Sequence, residues 1–298
     1  MEKIEKNRVT LFLILAFGIS WASAAVIALT GGLANSPVLI PGTQITLALI
    51  LEASIFMWGP ALANIITRLV TREGRQNLFL GFHMKSAWPY WLVAWFGPGL
   101  LTIAGAALFF ALFPQYYDAG MELLQAQLKA AGSAAVIDPF QLVMVQTLMG
   151  MLISPLVNFP ATFGEEFGWR GYLLPKLSVL GKRKALLLSG IIWGVWHWPL
   201  IAMGHNYGLD YWGYPWTGLL ATLCFTISIG GLIGWSSQKA QSVWPAVIAH
   251  AAVNGIAAVG LFFAKESFPR LLGPTPAGVI GMLPFTLITA WIIFKSKD

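Results

Sequence analysis

Long apolar segments recur along the whole chain, separated by short polar stretches. A helix needs about 20 mostly apolar residues to cross the hydrocarbon core of a bilayer, and eight segments approach this length. They lie at residues 9–30, 46–70, 88–113, 140–163, 185–203, 216–236, 244–264 and 276–294. The pattern predicts an all-α fold, a polytopic transmembrane helical bundle of about eight spans.

The composition agrees with an integral membrane protein. Of the 298 residues, 57% are hydrophobic and only 10% are charged, whereas an average soluble domain is about 25% charged. No repeat or soluble domain is visible, so we expect a single integral membrane domain over residues 1–298. The net charge of +6 does not indicate nucleic acid, because the basic residues do not cluster with exposed aromatic residues. Membrane lipid is the expected partner.

The basic residues predict how the spans are oriented. If the N terminus and the even-numbered loops face the cytoplasm, 15 of the 18 Lys and Arg residues lie on that side, as the positive-inside rule requires. Only Lys129, Lys265 and Arg270 then face outward. An even number of spans keeps this asymmetry and places both termini in the cytoplasm. The first segment also resembles a signal peptide, but its apolar residues continue to Leu29, which favours an uncleaved anchor.

The 114–138 stretch is the only long loop on the predicted outer side. Met121, Leu124, Leu128 and Ala131 recur there at helical spacing. We therefore expect a short interfacial helix in this loop.

Polar residues within or next to apolar segments indicate the candidate site, because a charge near the bilayer centre costs about 2.5 kcal/mol or more. Glu165 and Glu166 follow the fourth segment, and adjacent residues on a helix point about 100° apart. Glu166 and Arg170 have the i,i+4 spacing of a favourable helical ion pair. We interpret them as a structural pair and Glu165 as the free carboxylate. The alternative is an ordinary set of charge pairs at a solvated helix end.

Two histidine motifs lie in later segments. Trp193 and His197 share one helix face at i,i+4 spacing, as do His250 and Asn254. His197 can alternatively be a hydrogen-bonded core residue, and the second pair can be a polar contact between packed helices.

Three other titratable residues are assigned no role in the site. His83 and His205 are expected at the surface of loops. Glu52 is expected to make local contacts near the outer end of the second segment.

Taken in order, these motifs resemble the CPBP family of intramembrane proteases, which includes CAAX prenyl endopeptidases and bacterial bacteriocin-processing and self-immunity proteins. The family pattern is EExxxR, then FxxxH, then HxxxN. In this sequence it is carried by Glu165, Glu166 and Arg170, then Trp193 and His197, then His250 and Asn254. Trp193 stands where the family usually has Phe. The resemblance implies a membrane-embedded catalytic cavity, a motif-bearing core at about 140–264 and a location in a prokaryotic cell membrane.

The resemblance also implies roles for the motif residues. Glu165, His197, His250 and Asn254 would surround the cavity as catalytic residues, with structural support from Glu166, Arg170 and Trp193. Amide hydrolysis needs an activated water and a stabilised oxyanion. Glu165 with His197 can take the proton of the water, and His250 with Asn254 can hold the oxyanion. The expected function is an intramembrane endopeptidase acting on a membrane-associated peptide, either prenylated or a leader peptide.

Alternatives stay open for the cofactor and for the function. Glu165, His197 and His250 can form a His₂Glu zinc set with one open position. However, the HExxH spacing is absent, so a metal-free glutamate mechanism is favoured and no cofactor is expected. A non-catalytic immunity or scaffold protein would not need all four site residues. A proton-coupled transporter is disfavoured because corresponding broken helices are not seen in two halves of the chain.

The topology can be tested with reporter fusions. Fusions at Lys85 and Lys297 should both report cytoplasm, and a fusion at Ala130 should report the opposite side. A cytoplasmic signal at Ala130 would contradict the predicted orientation.

Overall fold

A computed structural model of the protein describes residues 5–130 and 137–295. Within these ranges the chain is helical, and its only β-type pairing consists of two isolated bridges. The predicted all-α fold is therefore confirmed. Two residues named in the sequence interpretation, Ala131 and Lys297, lie outside the described residues.

Thirteen α-helices follow one another in the described residues. They are α1 (Lys6–Leu29), α2 (Leu47–Leu51), α3 (Gly59–Val70), α4 (Met84–Leu112), α5 (Glu122–Ala130), α6 (Pro139–Leu152), α7 (Ser154–Val157), α8 (Phe159–Gly168), α9 (Leu174–Leu177), α10 (Lys182–Ala202), α11 (Trp216–Ala240), α12 (Trp244–Ile256) and α13 (Leu283–Lys295). The π-helical turn Glu52–Phe56 follows α2 and leads to α3. A second π-helical turn, Trp169–Leu173, joins α8 to α9.

Six helical segments in the described residues are long and apolar enough to cross a membrane. They are Lys6–Leu29, Leu47–Val70, Met84–Leu112, Lys182–Ala202, Trp216–Ala240 and Trp244–Phe263. The shorter apolar helices α6 and α13 occupy the positions of the two remaining predicted spans. With 13 residues, α13 is about 20 Å long, which is less than a typical hydrocarbon core of about 30 Å. The architecture is the predicted polytopic helical bundle.

The predicted span at 140–163 is wrong as a single helix. Asp138 caps the start of α6 by accepting from the Gln141 backbone N–H at 2.8 Å, and α6 then ends at Leu152. Pro155 and Pro160 lie in the first turns of α7 and α8. Because proline lacks a backbone N–H, it is tolerated in a first turn but interrupts a continuous helix. The two motif glutamates therefore lie inside a separate helix, α8.

The last predicted span begins later than its hydropathy indicates. Residues 275–281 form turns, and α13 starts only at Leu283. A Cβ atom at Gly281 would lie 1.9 Å from the Thr275 carbonyl oxygen, and one at Gly105 would lie 2.1 Å from the Gly281 oxygen. The segment is thus packed backbone to backbone against itself and against α4, which a side chain at either position would prevent.

The short helix predicted in the 114–138 loop is present as α5. Met121 and Leu124 are buried and form a small cluster with Val143 of α6. The apolar face of this helix is therefore partly covered by α6.

The main core contains large aromatic side chains. Trp169, Trp193 and Trp196 are each no more than 2% exposed and belong to one buried cluster. Trp193 of this cluster also belongs to the second motif, so the core is in direct contact with the motif helices.

Candidate active site

The glutamate motif lies on α8, which packs tightly against the start of α3. Glu165 is 2% exposed and Glu166 is 0% exposed. Cβ atoms added at Gly164 and Gly168 would lie 2.7 Å from the Met57 carbonyl oxygen and 2.5 Å from the Pro60 carbonyl carbon. The two glycines flank the glutamates, so only their small size lets the backbone of α8 approach that of α3 so closely.

Glu166 is the centre of a buried polar network. Its Oε1 atom accepts from the Arg170 guanidinium at 2.9 Å and from His250 Nδ1 at 2.9 Å. The i,i+4 contact predicted between Glu166 and Arg170 is present in the structure. The contact with His250 was not predicted, because it joins residues 84 positions apart. One carboxylate thus links the first motif to the third.

Trp193 contacts the charged and titratable groups of all three motifs. Its indole N–H donates to Glu165 Oε2 at 2.8 Å, and the Arg170 guanidinium lies 4.3 Å from its ring centroid. Its ring also lies edge-on to the rings of His197 and His250 at 5.5 and 5.3 Å. Phenylalanine would fill this space but has no N–H to donate. The indole therefore supplies Glu165 with a hydrogen bond that an unsubstituted phenyl ring lacks.

His197 has one ring nitrogen occupied within its own helix. Nδ1 lies 2.8 Å from the Trp193 carbonyl oxygen, one turn earlier on α10. Since a carbonyl can only accept, Nδ1 carries the proton of this hydrogen bond. Nε2 of a neutral His197 is then free to accept a proton from another group.

A cavity of about 260 Å³ joins the histidine motifs. His197 and Trp193 line it from α10, and His250 and Asn254 line it from α12. Asn254 is exposed, as expected for an amide that faces open space. Glu165 does not line the cavity, but it is hydrogen-bonded to Trp193, which does.

The cavity also contains a histidine that was expected at the surface. His205 is part of its lining, and Nδ1 of His205 lies 3.6 Å from Glu52 Oε1. The turn after α10 returns to the cavity because Gly204 and Asn206 adopt positive φ angles of 97° and 67°. A Gly followed two residues later by Asn is a turn signal that would have favoured this reversal. His83, by contrast, is an exposed residue just before α4.

The alternative zinc ligands do not converge in the described residues. No group of three or more His, Cys, Asp or Glu side chains there has an arrangement that could hold a metal ion. Glu165 instead accepts from Trp193, and His250 uses Nδ1 towards Glu166. These contacts leave Nε2 of His197, Nε2 of His250 and the second carboxylate oxygen of Glu165 unassigned.

Comparison with known proteins places the motifs in a family context. Residues 140–256 match the family model described as Type II CAAX prenyl endopeptidase Rce1-like. A curated protein from Methanococcus maripaludis, named CAAX prenyl protease 2, is 37% identical over 102 residues. The aligned stretch covers 33% of this chain and 37% of that relative, so it spans well under half of either protein. These matches confirm the resemblance to the CPBP-type proteases over the part of the chain that carries the motifs.

The buried pair predicts a large effect on stability. Glu166→Ala and Arg170→Ala should each lower the free energy of unfolding by about 3–5 kcal/mol, because either change leaves the other charge buried without its partner. Glu5→Ala, which removes a surface carboxylate paired with Arg8 and Lys176, is the control and should cost about 1 kcal/mol or less. Thermal and denaturant unfolding in detergent measures both. Parent-like stability with loss of turnover would show that the Glu166–Arg170 pair is not structural.

Proposed function

We propose that the protein is an intramembrane endopeptidase that hydrolyses a peptide bond of a membrane-associated peptide. The observation that carries this proposal is the buried contact of Glu166 with both Arg170 and His250, next to a cavity lined by His197 and Asn254. The cavity brings together a base and hydrogen-bond donors, which amide hydrolysis requires. The matched family description and the name of the relative favour a prenylated peptide ending in a C-a-a-X sequence as substrate.

In the proposed mechanism, Glu165 and His197 activate the attacking water. Nε2 of His197 is available as an acceptor, because Nδ1 is used by the Trp193 carbonyl. Glu165 Oε2 accepts from the Trp193 indole N–H, so its other carboxylate oxygen is the one proposed to take the proton of the water. A carboxylate with few water contacts is a better base than one in bulk water.

The oxyanion is stabilised by donors from α12. His250 donates through Nδ1 to Glu166, so a protonated His250 has Nε2–H left to donate into the cavity. Asn254 lies one turn further along α12 and provides its amide NH₂. The imidazolium form of His250 is the form that can donate from both nitrogens.

The metal-free route is the one proposed here, and zinc is kept as the alternative. Bound to a His₂Glu set, zinc would supply a water of lowered pKa. The chain's own residues supply the base and the donors in the metal-free route. No step of the proposed mechanism depends on a bound metal.

The location proposed for the chain follows from its spans and charges. We propose a single integral membrane domain in a prokaryotic cell membrane, with both termini in the cytoplasm and the catalytic core at about 140–264. The asymmetry of 15 to 3 in the basic residues supports this orientation. Bilayer lipid is then a direct partner of the exposed apolar helix faces.

The roles of Glu165 and Asn254 can be separated kinetically. Glu165→Gln keeps the shape and the acceptor for Trp193 but removes the basic carboxylate, so it should abolish cleavage without weakening binding. Asn254→Ala removes one oxyanion donor and should lower kcat by roughly 10²- to 10³-fold. The measurement is cleavage and binding of an internally quenched, farnesylated C-a-a-X peptide by the full chain in liposomes.

The matched control is Glu266→Gln, which makes the same chemical change at an exposed loop position. It should leave kcat and KM unchanged. Parent-like turnover by Glu165→Gln would remove Glu165 from the mechanism.

Metal dependence is tested by chelation and metal analysis. The metal-free route predicts full turnover after exhaustive chelation, with far less than one zinc per chain. A zinc protease treated in parallel should lose its activity. If turnover instead follows zinc content, and if His197→Ala and His250→Ala lose bound zinc, the metal-free route is wrong.

A further inference from the structure

The loop between α3 and α4 is held by a buried arginine near the end of α3. Arg68 is only 8% exposed. Its guanidinium donates to the backbone carbonyl oxygens of Gly74 at 3.2 Å, Gln76 at 2.8 Å and Asn77 at 3.2 Å. A planar guanidinium with donors on three nitrogens can satisfy these carbonyls together, whereas a lysine ammonium has all its donors on one nitrogen. Arg68 therefore determines the path of residues 73–80, which we call the 73–80 loop.

The far end of the 73–80 loop contacts the start of α12. The Phe79 carbonyl accepts from the Val243 backbone N–H at 2.8 Å, and the Leu80 carbonyl accepts from the Trp244 indole N–H at 2.8 Å. Val243 is the residue that precedes α12, where helix N–H groups have no partner inside the helix. The loop thus caps the helix that carries His250 and Asn254.

Arg68 is also connected, through Asn64, to α8, the helix that carries Glu165 and Glu166. Nε of Arg68 donates to Asn64 Oδ1 at 2.8 Å, and Asn64 Nδ2 donates to the Phe167 carbonyl oxygen at 2.9 Å. Asn64 is 0% exposed, so these bonds do not compete with bulk water. Phe167 directly follows Glu166 on α8. The side chains of Asn64 and Arg68 therefore connect the end of α8 to the 73–80 loop.

Charged groups near Arg68 add to this anchoring. Glu73 lies 3.7 Å from the Arg68 guanidinium and 2.8 Å from Lys176 Nζ, and its carboxylate accepts from the Tyr172 hydroxyl at 3.0 Å. Tyr172 belongs to the π-helical turn that follows α8. The loop is thus also fastened to the α8 side through Glu73, which itself contacts Arg68.

We propose that Asn64 and Arg68 are positioning residues for hydrolysis. Through the 73–80 loop they keep α8, with Glu165 and Glu166, at the separation from α12 at which Glu166 meets His250 and the cavity is complete. The inference rests on the proposed function, and it concerns a part of the chain outside the matched residues 140–256. Neither side chain is a member of the cavity wall, so both act through the catalytic helices.

The first arm of the test is kinetic and uses Arg68→Lys in the full chain. This change keeps the charge and removes the fork of donors, so it alters position more than electrostatics. With the farnesylated C-a-a-X peptide as probe, kcat per folded molecule should fall about 10- to 100-fold with KM unchanged, because misplacement of reacting groups by about 1 Å has effects of up to this size. Asn64→Ala should act in the same direction. The double variant should be no slower than the slower single variant, because both changes interrupt one path.

The matched control is Arg75→Lys. Arg75 lies in the same loop but is exposed, and its side chain makes no hydrogen bond in the described part of the chain. Its kinetics should equal those of the parent. If Arg68→Lys loses thermal stability but keeps the kcat of Arg75→Lys per folded molecule, Arg68 is merely structural and the proposal is wrong.

The second arm needs no substrate. Hydrogen exchange of the backbone amides in 159–168 and in 244–256 should become faster in both segments for Arg68→Lys and in neither for Arg75→Lys. Faster exchange confined to the 73–80 loop would overturn the proposed coupling. If the parent chain does not cleave the probe, the proposed function fails, and the exchange result alone then decides whether the two helices are coupled through Arg68.

Discussion

One buried carboxylate oxygen, Oε1 of Glu166, holds the candidate site together. It accepts at 2.9 Å from both Arg170 and His250, and Glu166 is fully buried. A buried carboxylate carries a desolvation cost of several kcal/mol, which charge-assisted hydrogen bonds of good geometry offset. As a result, α8 and α12 must come together where this oxygen lies between the Arg170 guanidinium and the His250 imidazole. The cavity lies between α10, α11 and α12, and His250 takes part both in its wall and in the contact with Glu166.

Aromatic side chains of the core stabilise the buried polar network. Trp193 covers the Arg170 guanidinium with its ring face and donates to Glu165 from its ring edge. A cation over an indole ring gains electrostatic attraction that increases when water is excluded. The same side chain therefore stabilises the cation of the ion pair and orients the carboxylate proposed as the base. A phenylalanine at this position, as in the usual family pattern, would lack the N–H that Trp193 donates to Glu165.

Much of the fold could be predicted from the sequence, because hydropathy and helical spacing are local properties. The eight apolar segments correspond to six long and two shorter apolar helices in the described residues, and the Glu166–Arg170 contact follows from i,i+4 spacing alone. Pro155 and Pro160 account for the interruption of the predicted helix at 140–163. Hydropathy alone does not reveal it, because these prolines lie among apolar residues. The contact between Glu166 and His250, the return of His205 to the cavity and the bond from Asn64 to Phe167 are long-range contacts. Single-sequence periodicity carries no information about contacts between residues far apart in the chain. Asn64 and Arg68, at i,i+4 spacing inside an apolar helix, do indicate a buried polar contact.

The central claim is that this site hydrolyses a peptide bond with water. The most direct test is mass spectrometry of the products formed by the purified full chain in liposomes, with a farnesylated C-a-a-X peptide in ¹⁸O-labelled water. The account predicts a new product that ends at the farnesylated cysteine and carries ¹⁸O in its new carboxylate, together with the released tripeptide. Peptide that binds to the chain and is recovered intact would contradict the account and identify the protein as a binder without catalytic activity.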